Sequence, residues 1–188
     1  NPKSDIEINQ QRRFTYDYST AMSLDWKPVK GLILRTEGTL GLNWRDQYRY
    51  YGALTGMGQN NNSQPVSSIG KGQSTRYIWT NTGNYTFSVD NTHNFSFLLG
   101  QELFHDQSTF NFQQNRYFPR AFEAQQTWDN MGFGTPQESY TSTSTPDRTM
   151  SFFGQSSYNY FQKYFIALTM RADGSSKFAP GNQWGYFP

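Results

Sequence analysis

The opening part of the chain alternates between apolar and polar positions with a period of two. Between residues 12 and 26 the even positions are mostly aromatic or aliphatic, whereas the odd positions are small or charged. The same alternation returns between residues 32 and 51, after the short segment KPVKG at 27–31. Because the side chains of a β-strand point to its two faces in turn, this pattern predicts two long antiparallel strands joined by a tight turn.

The rest of the chain predicts four more strands and two long loops. Segments that lack periodicity and are rich in Gly, Ser, Asn and Gln indicate loops, whereas alternating aromatic segments indicate strands. In chain order, the predicted elements are a loop at 52–74, a strand at about 75–89, the turn DNTHN at 90–94, a strand at about 94–112, a loop at 113–147, and two strands from about residue 148 that meet at a turn at Gln162–Lys163. Short and long connections therefore alternate along the chain.

Strand length and loop order both indicate a membrane barrel. The predicted strands have about 13 to 19 residues, compared with about five or six in a typical globular protein. At about 3.3 Å per residue and a tilt of about 45°, about 13 residues cross the ~30 Å hydrocarbon core of a bilayer. We therefore predict an all-β fold, a segment of an antiparallel transmembrane β-barrel with short periplasmic turns and long extracellular loops. In this arrangement the even, apolar face of the first two strands meets lipid.

Composition excludes several other kinds of protein. Aromatic residues make up 18% of the chain and charged residues only 16%, and a net charge of +2 gives no reason to expect a nucleic-acid partner. The absence of cysteine excludes disulfides and thiolate metal sites. The two histidines, His93 and His105, lack the spacing of a metal-binding pair on one strand face. We therefore expect neither a metal nor a cofactor.

The segment DGSS at 173–176 combines an acid with two serines, as some catalytic sites do. A nucleophilic serine needs a base within hydrogen-bond reach, and no histidine lies nearby in the sequence. We therefore expect Asp173, Ser175 and Ser176 to cap a turn through hydrogen bonds to the backbone, and no enzymatic chemistry.

Charged residues also occur on the odd face of the first two predicted strands. Asp17 and Asp25 are eight residues apart on one strand, about 26 Å, which is too far for a pair of catalytic carboxylates. We interpret them, together with Glu37, as solvated charges of a barrel lumen that have Arg35 and Arg45 as partners.

The second long loop contains a cluster of aromatic and basic residues. The candidates for ligand contact, by stacking on sugar rings or on a peptide, are Arg116, Tyr117, Phe118, Arg120 and Trp128. The same rings, with Phe122 and Phe133, could equally pack the loop onto itself or onto a partner protein. The sequence leaves these interpretations open.

The C-terminal part of the chain resembles a known family. RADGSSKF at 171–178 and GNQWGYFP at 181–188 resemble the motif RxDGSSxF…GxxWGYFP of SusC/RagA-type TonB-dependent outer-membrane transporters, and the upstream Phe153-Gly154, Tyr158-Asn159-Tyr160 and Lys163-Tyr164 fit the same family. Asn1-Pro2 and the segment WKPVKGL also fit its pattern. The motif residues, which we expect to be structural, are Arg171, Asp173, Gly174, Ser175, Ser176, Phe178, Trp184, Gly185, Tyr186, Phe187 and Pro188.

The resemblance implies a function and a set of partners. Members of this family are outer-membrane barrels of about 22 strands in Gram-negative bacteria, with a plug domain inside. They import glycan oligomers or peptides, powered by TonB through the plug, and a SusD-like surface lipoprotein closes over them. Residues 1–188 would then be an internal part of the barrel domain, without the plug and without the C-terminal strands. The alternatives are a soluble aromatic-rich carbohydrate-binding β-domain and an outer-membrane barrel that does not transport.

Overall fold

The computed structural model describes residues 9–188, so Asn1-Pro2 lies outside the described residues. These residues form one antiparallel sheet of eight strands, which confirms the predicted all-β class. The strands are β1 (Asn9–Trp26), β2 (Leu32–Tyr51), β3 (Val66–Val89), β4 (His93–Arg116), β5 (Thr135–Thr143), β6 (Asp147–Tyr160), β7 (Tyr164–Ser175) and β8 (Trp184–Phe187). Two short helices, α1 (Gly56–Gln59) and α2 (Ala124–Asp129), and a 3-10 turn at Met131–Phe133 lie in the long connections. Within residues 9–188, no helix is long and apolar enough to cross a membrane.

The strand order is β1-β2-β3-β4-β6-β7-β8, with β5 paired to β4. Both β5 and β6 pair with β4, at successive parts of that long strand. Residues 93–106 of β4 pair with β6, and residues 109–116 pair with β5. The polar segment TPQESYTST of β5 is thus paired with the outer part of β4.

The three predicted tight turns are confirmed, and their backbone explains the residues that form them. In the first turn Gly31 has a φ of 85°, and a Cβ at this position would collide with the carbonyl oxygen of Thr86. The other two turns each have two successive residues with φ between 48° and 57°, Asp90-Asn91 and Phe161-Gln162. This is the geometry of two-residue hairpin turns whose twist matches that of the strands.

The two long loops are shorter than predicted. β3 begins at Val66, inside the predicted loop 52–74, and β5 lies entirely inside the predicted loop 113–147. The first residues of β3 have no apolar alternation because Ser67, Ser68 and Gly70 are buried under other parts of the chain. β5 is exposed along its whole length, so nothing in its composition distinguishes it from a loop. β8 was also missed, because it is only four residues long and lies among Gly and Pro.

The described chain falls into two compact units. Unit 1 contains the chain up to Tyr18, Leu42–Ser74 and Ser108–Ser144, and unit 2 contains Ser19–Gly41, Thr75–Gln107 and Thr145–Pro188. In unit 1, Tyr50, Ala124 and Trp128 form a hydrophobic core together with the partly buried Tyr48 and Ile69. No such core is found among the described residues of unit 2, which is a sheet with two open faces.

The two faces of unit 2 differ in chemistry. One, the apolar face, has rows of exposed side chains, among them Leu99 (72% exposed), Leu168 (69%) and Met170 (70%). The register places Met170 beside Gly154 and Leu99 on this face. The opposite, polar face has Glu102, which pairs with Ser151 on the next strand. Unit 2 therefore presents a continuous apolar surface that nothing within the described chain covers.

Candidate functional site

The predicted ligand loop of unit 1 is folded onto the sheet by helix α2. Glu123 precedes the helix, and its backbone N–H donates to Oε1 of Gln126 at 2.9 Å, forming half of a capping box. The buried residues of α2 are Ala124, Thr127 and Trp128, which have the i, i+3, i+4 spacing of one helix face. This face packs on the side of β2 that carries Tyr48 and Tyr50.

Directed hydrogen bonds fix α2 in place. Nε1 of Trp128 donates to the carbonyl oxygen of Arg49 at 3.3 Å, and Oγ1 of Thr127 donates to Oγ of Ser67 at 3.0 Å. The hydroxyl of Tyr50 donates to the carbonyl oxygen of Phe122 at 2.8 Å. Burial, reinforced by the charge of Glu123, raises the pKa of the Tyr50 hydroxyl. The tyrosine therefore stays protonated and able to donate this bond at neutral pH.

The remainder of the loop is anchored by Phe118 and Asn115. Phe118 is completely buried, and its ring fills the space beside Gly134, where a Cβ would come within 2.6 Å of it. Nδ2 of Asn115 donates to the carbonyl oxygens of Met131 at 2.7 Å and Gly134 at 3.3 Å. Between these anchors Tyr117 has a φ of 60°, which is uncommon for a bulky residue and is held by its fixed neighbours.

The five candidate ligand residues are thus in two different environments. Phe118 and Trp128 are buried, and Arg12 covers the Trp128 ring at 4.9 Å, so these two rings pack the loop onto the sheet. Tyr117 is 39% exposed. Nη2 of Arg120 donates to the carbonyl oxygen of Asn62 at 3.0 Å, which ties this loop to the first one. Of the remaining candidates, Tyr117 and Arg120 are exposed, whereas Arg116 is half-buried and its Nε is buried without a hydrogen-bond partner.

In unit 2 the family motif builds the polar face of the sheet. Nε of Arg171 lies 2.7 Å from Oδ1 of Asp173, and its Nη2 donates to Oγ of Ser151 at 3.1 Å. The same guanidinium lies 3.5 Å from Oε1 of Glu102 and over the ring of Phe153 at 5.7 Å. Arg171 therefore links three neighbouring strands, β4, β6 and β7.

The expectation that Asp173 caps a turn is wrong. Asp173 lies within β7 and its carboxylate accepts from Arg171, because the strand continues to Ser175. The two serines bond to the backbone as predicted: Oγ of Ser175 accepts from the N–H of Lys177 at 3.3 Å, and Oγ of Ser176 accepts from the N–H of Arg148 at 2.9 Å. The motif thus combines an ion pair on the strand with a turn that follows it.

The remaining motif residues lie on β7, β8 and the connection between them. The ring of Trp184 lies against Gly174, where a Cβ would come within 2.9 Å of it, and stacks on Phe152 with centroids 6.1 Å apart. Phe187 lies in the same way against Gly185. The glycines of the motif therefore provide space for aromatic rings of β8. Phe178, Tyr186 and Phe187 are exposed, as is Pro188 at the end of the described chain.

The charges of the first hairpin are paired in part as predicted. Arg35 lies 3.6 Å from Asp25 and 3.2 Å from Glu37, so its guanidinium separates the two carboxylates. Asp17 accepts from Nδ2 of Asn43 at 2.6 Å. In the part of the chain that the structure describes, no ion pair of Arg45 is found, and no group of three or more metal-ligating side chains occurs.

Sequence reasoning missed an aromatic cluster in unit 1. Phe112 and Tyr140 are register partners on β4 and β5, with ring centroids 5.2 Å apart, and Phe110 lies 6.4 Å from Phe112. They lie on the face opposite to α2. The sequence clue to this cluster is the spacing of Phe110 and Phe112, which places both rings on one face of a strand. Their partner Tyr140, however, lies in a segment that the sequence predicts to be a loop.

Comparisons with known proteins relate the whole chain to one type of receptor. The TonB-dependent receptors P39 and P26 of Formosa agariphila are 26% and 24% identical over 199 and 193 residues, which is 99% and 100% of this chain. The TonB-dependent receptor SusC of Bacteroides thetaiotaomicron is 32% identical over 79 residues, 40% of this chain. The RagAB peptide transporter superposes on 95% of this chain with a TM-score of 0.83 at 16% identity. Over its whole length the chain is similar to TonB-dependent receptors of the SusC/RagA type.

The relatives are much longer than this chain. It covers 8% of SusC, 17% of P39 and 19% of P26. It covers 20% of the RagAB chain, and a second RagAB structure, in the 'open-open' state, matches 96% of it with a TM-score of 0.82 at 17% identity. No family model matches the chain. The likeness to RagAB establishes the fold, and the named relatives are receptors and a transporter.

Proposed function

We propose that the chain is part of the barrel of an outer-membrane receptor that imports a nutrient by a TonB-dependent route. The observation that carries the proposal is the relationship of the entire chain to TonB-dependent receptors. The nutrient would be a glycan oligomer or a peptide; RagAB, which has the same fold over this region, is described as a peptide transporter.

The faces of unit 2 support a location in the outer membrane. Leu99, Leu168 and Met170 are exposed on the apolar face, and burial of each in lipid would stabilise the sheet by about 1.5 to 3 kcal/mol. The opposite face carries Arg171 with its ion pairs, as expected of a surface that lines an aqueous lumen. A soluble carbohydrate-binding domain would leave the apolar rows in water, so the structure favours the barrel.

The partners follow from the same proposal. Strands of unit 2 would contact outer-membrane lipid, and the connections of unit 1 would face the exterior, where a SusD-like lipoprotein would close over the receptor. TonB would act through a plug region contributed by the rest of the receptor. Residues 1–188 would supply barrel wall, lumen surface and two outer loops, with no catalytic role.

Transport is tested by deleting the gene of the complete receptor. We expect loss of growth on a single glycan or peptide source, and an equal loss when tonB is deleted. Restoration of growth by the intact gene, but not by a gene that lacks its plug, would assign the loss to energised transport. Unchanged growth on every tested source would leave a non-transporting barrel as the function and overturn the proposal.

Orientation is tested separately by cysteine labelling. The chain has no cysteine of its own, so Phe133→Cys and Thr92→Cys each introduce a single thiol into it. On intact cells a membrane-impermeant maleimide should label Phe133→Cys, in the long connection, and spare Thr92→Cys, in a short turn. The opposite result would invert the proposed topology, and labelling of both would contradict a membrane-spanning sheet.

A further inference from the structure

Unit 1 contains a cleft on the face of the sheet opposite to α2. Its volume is about 260 Å³. Strands β2, β3, β4 and β5 each contribute two lining residues: Gln47, Arg49, Ser68, Gly70, Phe110, Phe112, Glu138 and Tyr140. On β2 these residues alternate with Tyr48 and Tyr50, which face α2. The cleft is therefore separate from the five residues predicted to contact a ligand, although its β5 residues come from the same predicted loop.

Three aromatic rings form one side of the cleft. The rings of Phe110 and Phe112 are nearly parallel, with an interplanar angle of 23°, and the ring of Tyr140 is tilted by 32° against Phe112. Tyr140 is 44% exposed. The cluster thus presents ring surface to the solvent rather than burying it in a core.

Two glycines of β3 create the space for this cluster. A Cβ on Gly70 would come within 2.7 Å of the Phe110 ring, and a Cβ on Gly72 would come within 3.5 Å. Any larger side chain at position 70 would displace the ring. The ring of Phe110 therefore lies close against β3 at these two glycines.

Polar side chains surround the rings. Gln47, Arg49 and Glu138 provide amide, guanidinium and carboxylate groups, which together donate and accept hydrogen bonds. Among the residues that the structure describes, neither Arg49 nor Glu138 forms an ion pair. These groups are available to a ligand, and their opposite charges favour an uncharged one.

The geometry points to this cleft as a binding subsite for a neutral sugar ring of the imported ligand, a proposal that rests on the proposed function. A pyranose has an apolar C–H face that stacks on aromatic rings and a rim of hydroxyls that needs donors and acceptors. The cleft supplies both, because half of its eight lining residues are polar or charged. An apolar peptide side chain is anchored better in an enclosed, fully desolvated pocket, which an open row of rings does not form.

The test is equilibrium binding to the purified complete receptor, measured by calorimetry in the absence of TonB. The probes are maltoheptaose, xylohexaose and mannohexaose, with a casein peptide digest as the non-sugar probe. We expect at least one oligosaccharide to bind, Tyr140→Ala to weaken it at least tenfold, and Glu138→Gln, which keeps the size of the side chain, to weaken it severalfold. The matched control is Phe133→Ala, an exposed aromatic residue outside the cleft, which should stay within twofold of wild type.

The inference fails if no oligosaccharide binds, if only the peptides bind, or if Tyr140→Ala and Phe133→Ala have equal effects. Heat-modifiable migration on gels checks that each variant is folded. If Tyr140→Ala does not fold, the oligosaccharide affinity of Glu138→Gln tests the inference instead. Failure of the proposed function is distinguished by a different readout: a receptor that binds an oligosaccharide at the cleft but shows no TonB-dependent uptake would retain the site and lose the transport role.

Discussion

Unit 1 and unit 2 treat their apolar side chains in opposite ways. All the buried hydrophobic residues found in the described chain belong to unit 1: Tyr50, Val66, Phe118, Ala124 and Trp128. In unit 2 the apolar face is a row of exposed side chains. Both units are built from the same long strands, so the difference lies in the connection that packs over part of unit 1, and the apolar face of unit 2 is the surface that would meet lipid in the proposed function.

Strand β2 shows this contrast within one element. Its even positions are apolar along nearly the whole strand, yet Leu34 and Leu40 are exposed whereas Tyr50 is buried beneath α2. The alternation of apolar and polar residues is therefore the same in both units. The units differ in whether a connecting segment packs over the apolar side chains. The packing of that connection and the exposure of the apolar face can be tested independently.

The largest effect is expected from removing the anchor of the connection in unit 1. Phe118→Ala should destabilise the folded loop by about 3 to 5 kcal/mol, because it deletes a completely buried ring and leaves a cavity beside Gly134. Hydrogen exchange of residues 117–134 in the complete receptor measures this local opening. Phe133→Ala, at a residue that is 65% exposed, should change it by less than about 0.5 kcal/mol. Equal protection in both variants would show that Phe118 does not hold the loop.

The next largest effect is expected from placing a charge on the apolar face of unit 2. Leu168→Arg should destabilise the receptor in a bilayer by about 2 to 4 kcal/mol, because it places a charge on the surface proposed to meet lipid. The matched variant is Thr169→Arg, since the next residue of β7 points to the polar face. Denaturant titration of receptor folded into lipid vesicles measures both. If the two variants lose equal stability, or Thr169→Arg loses more, the assignment of the faces is wrong.

The strands that the sequence predicts are those with two chemically different faces. Where strands have two chemically different faces, as β1 and β2 do, alternation predicted the elements and their turns. Where a strand is polar on both faces, as in β5, or is buried by a neighbouring segment, as at the start of β3, the pattern is absent and the strand was missed. Secondary structure there is fixed by pairing with distant residues, which composition does not report.

The candidate site shows a similar limit. The sequence identifies the aromatic residues of the predicted ligand loop but not which of their rings are buried, because this depends on the face of the sheet onto which the loop folds. Phe118 and Trp128 have the same character as Tyr117 in the sequence, yet only Tyr117 is left exposed. The cleft with Phe110 and Tyr140 needed the register of β4 and β5, which no local pattern contains.

A smaller effect is expected where unit 2 does pack rings closely. Gly174→Ala should cost about 1 to 3 kcal/mol, because the added methyl group would come within 2.9 Å of the Trp184 ring and displace it. Gly132→Ala, at a glycine with open space around it, is the matched control. The denaturant titration used for Leu168→Arg measures both variants. Indistinguishable stabilities would mean that β8 accommodates the methyl group without strain.

The smallest effect is expected from removing one hydrogen bond that holds the connection of unit 1 on the sheet. Tyr50→Phe removes the hydrogen bond to Phe122 and should cost about 1 kcal/mol at neutral pH. Because burial and Glu123 raise the pKa of Tyr50 in the folded state, its contribution is complete below the ordinary tyrosine pKa of about 10 and is lost as the pH rises further. Subtilisin cleavage within residues 117–134 should therefore accelerate above about pH 10 in the wild type and less steeply in Tyr50→Phe. Identical pH profiles would show that the hydroxyl of Tyr50 does not hold the loop, and that apolar packing by Phe118 and Trp128 accounts for its order.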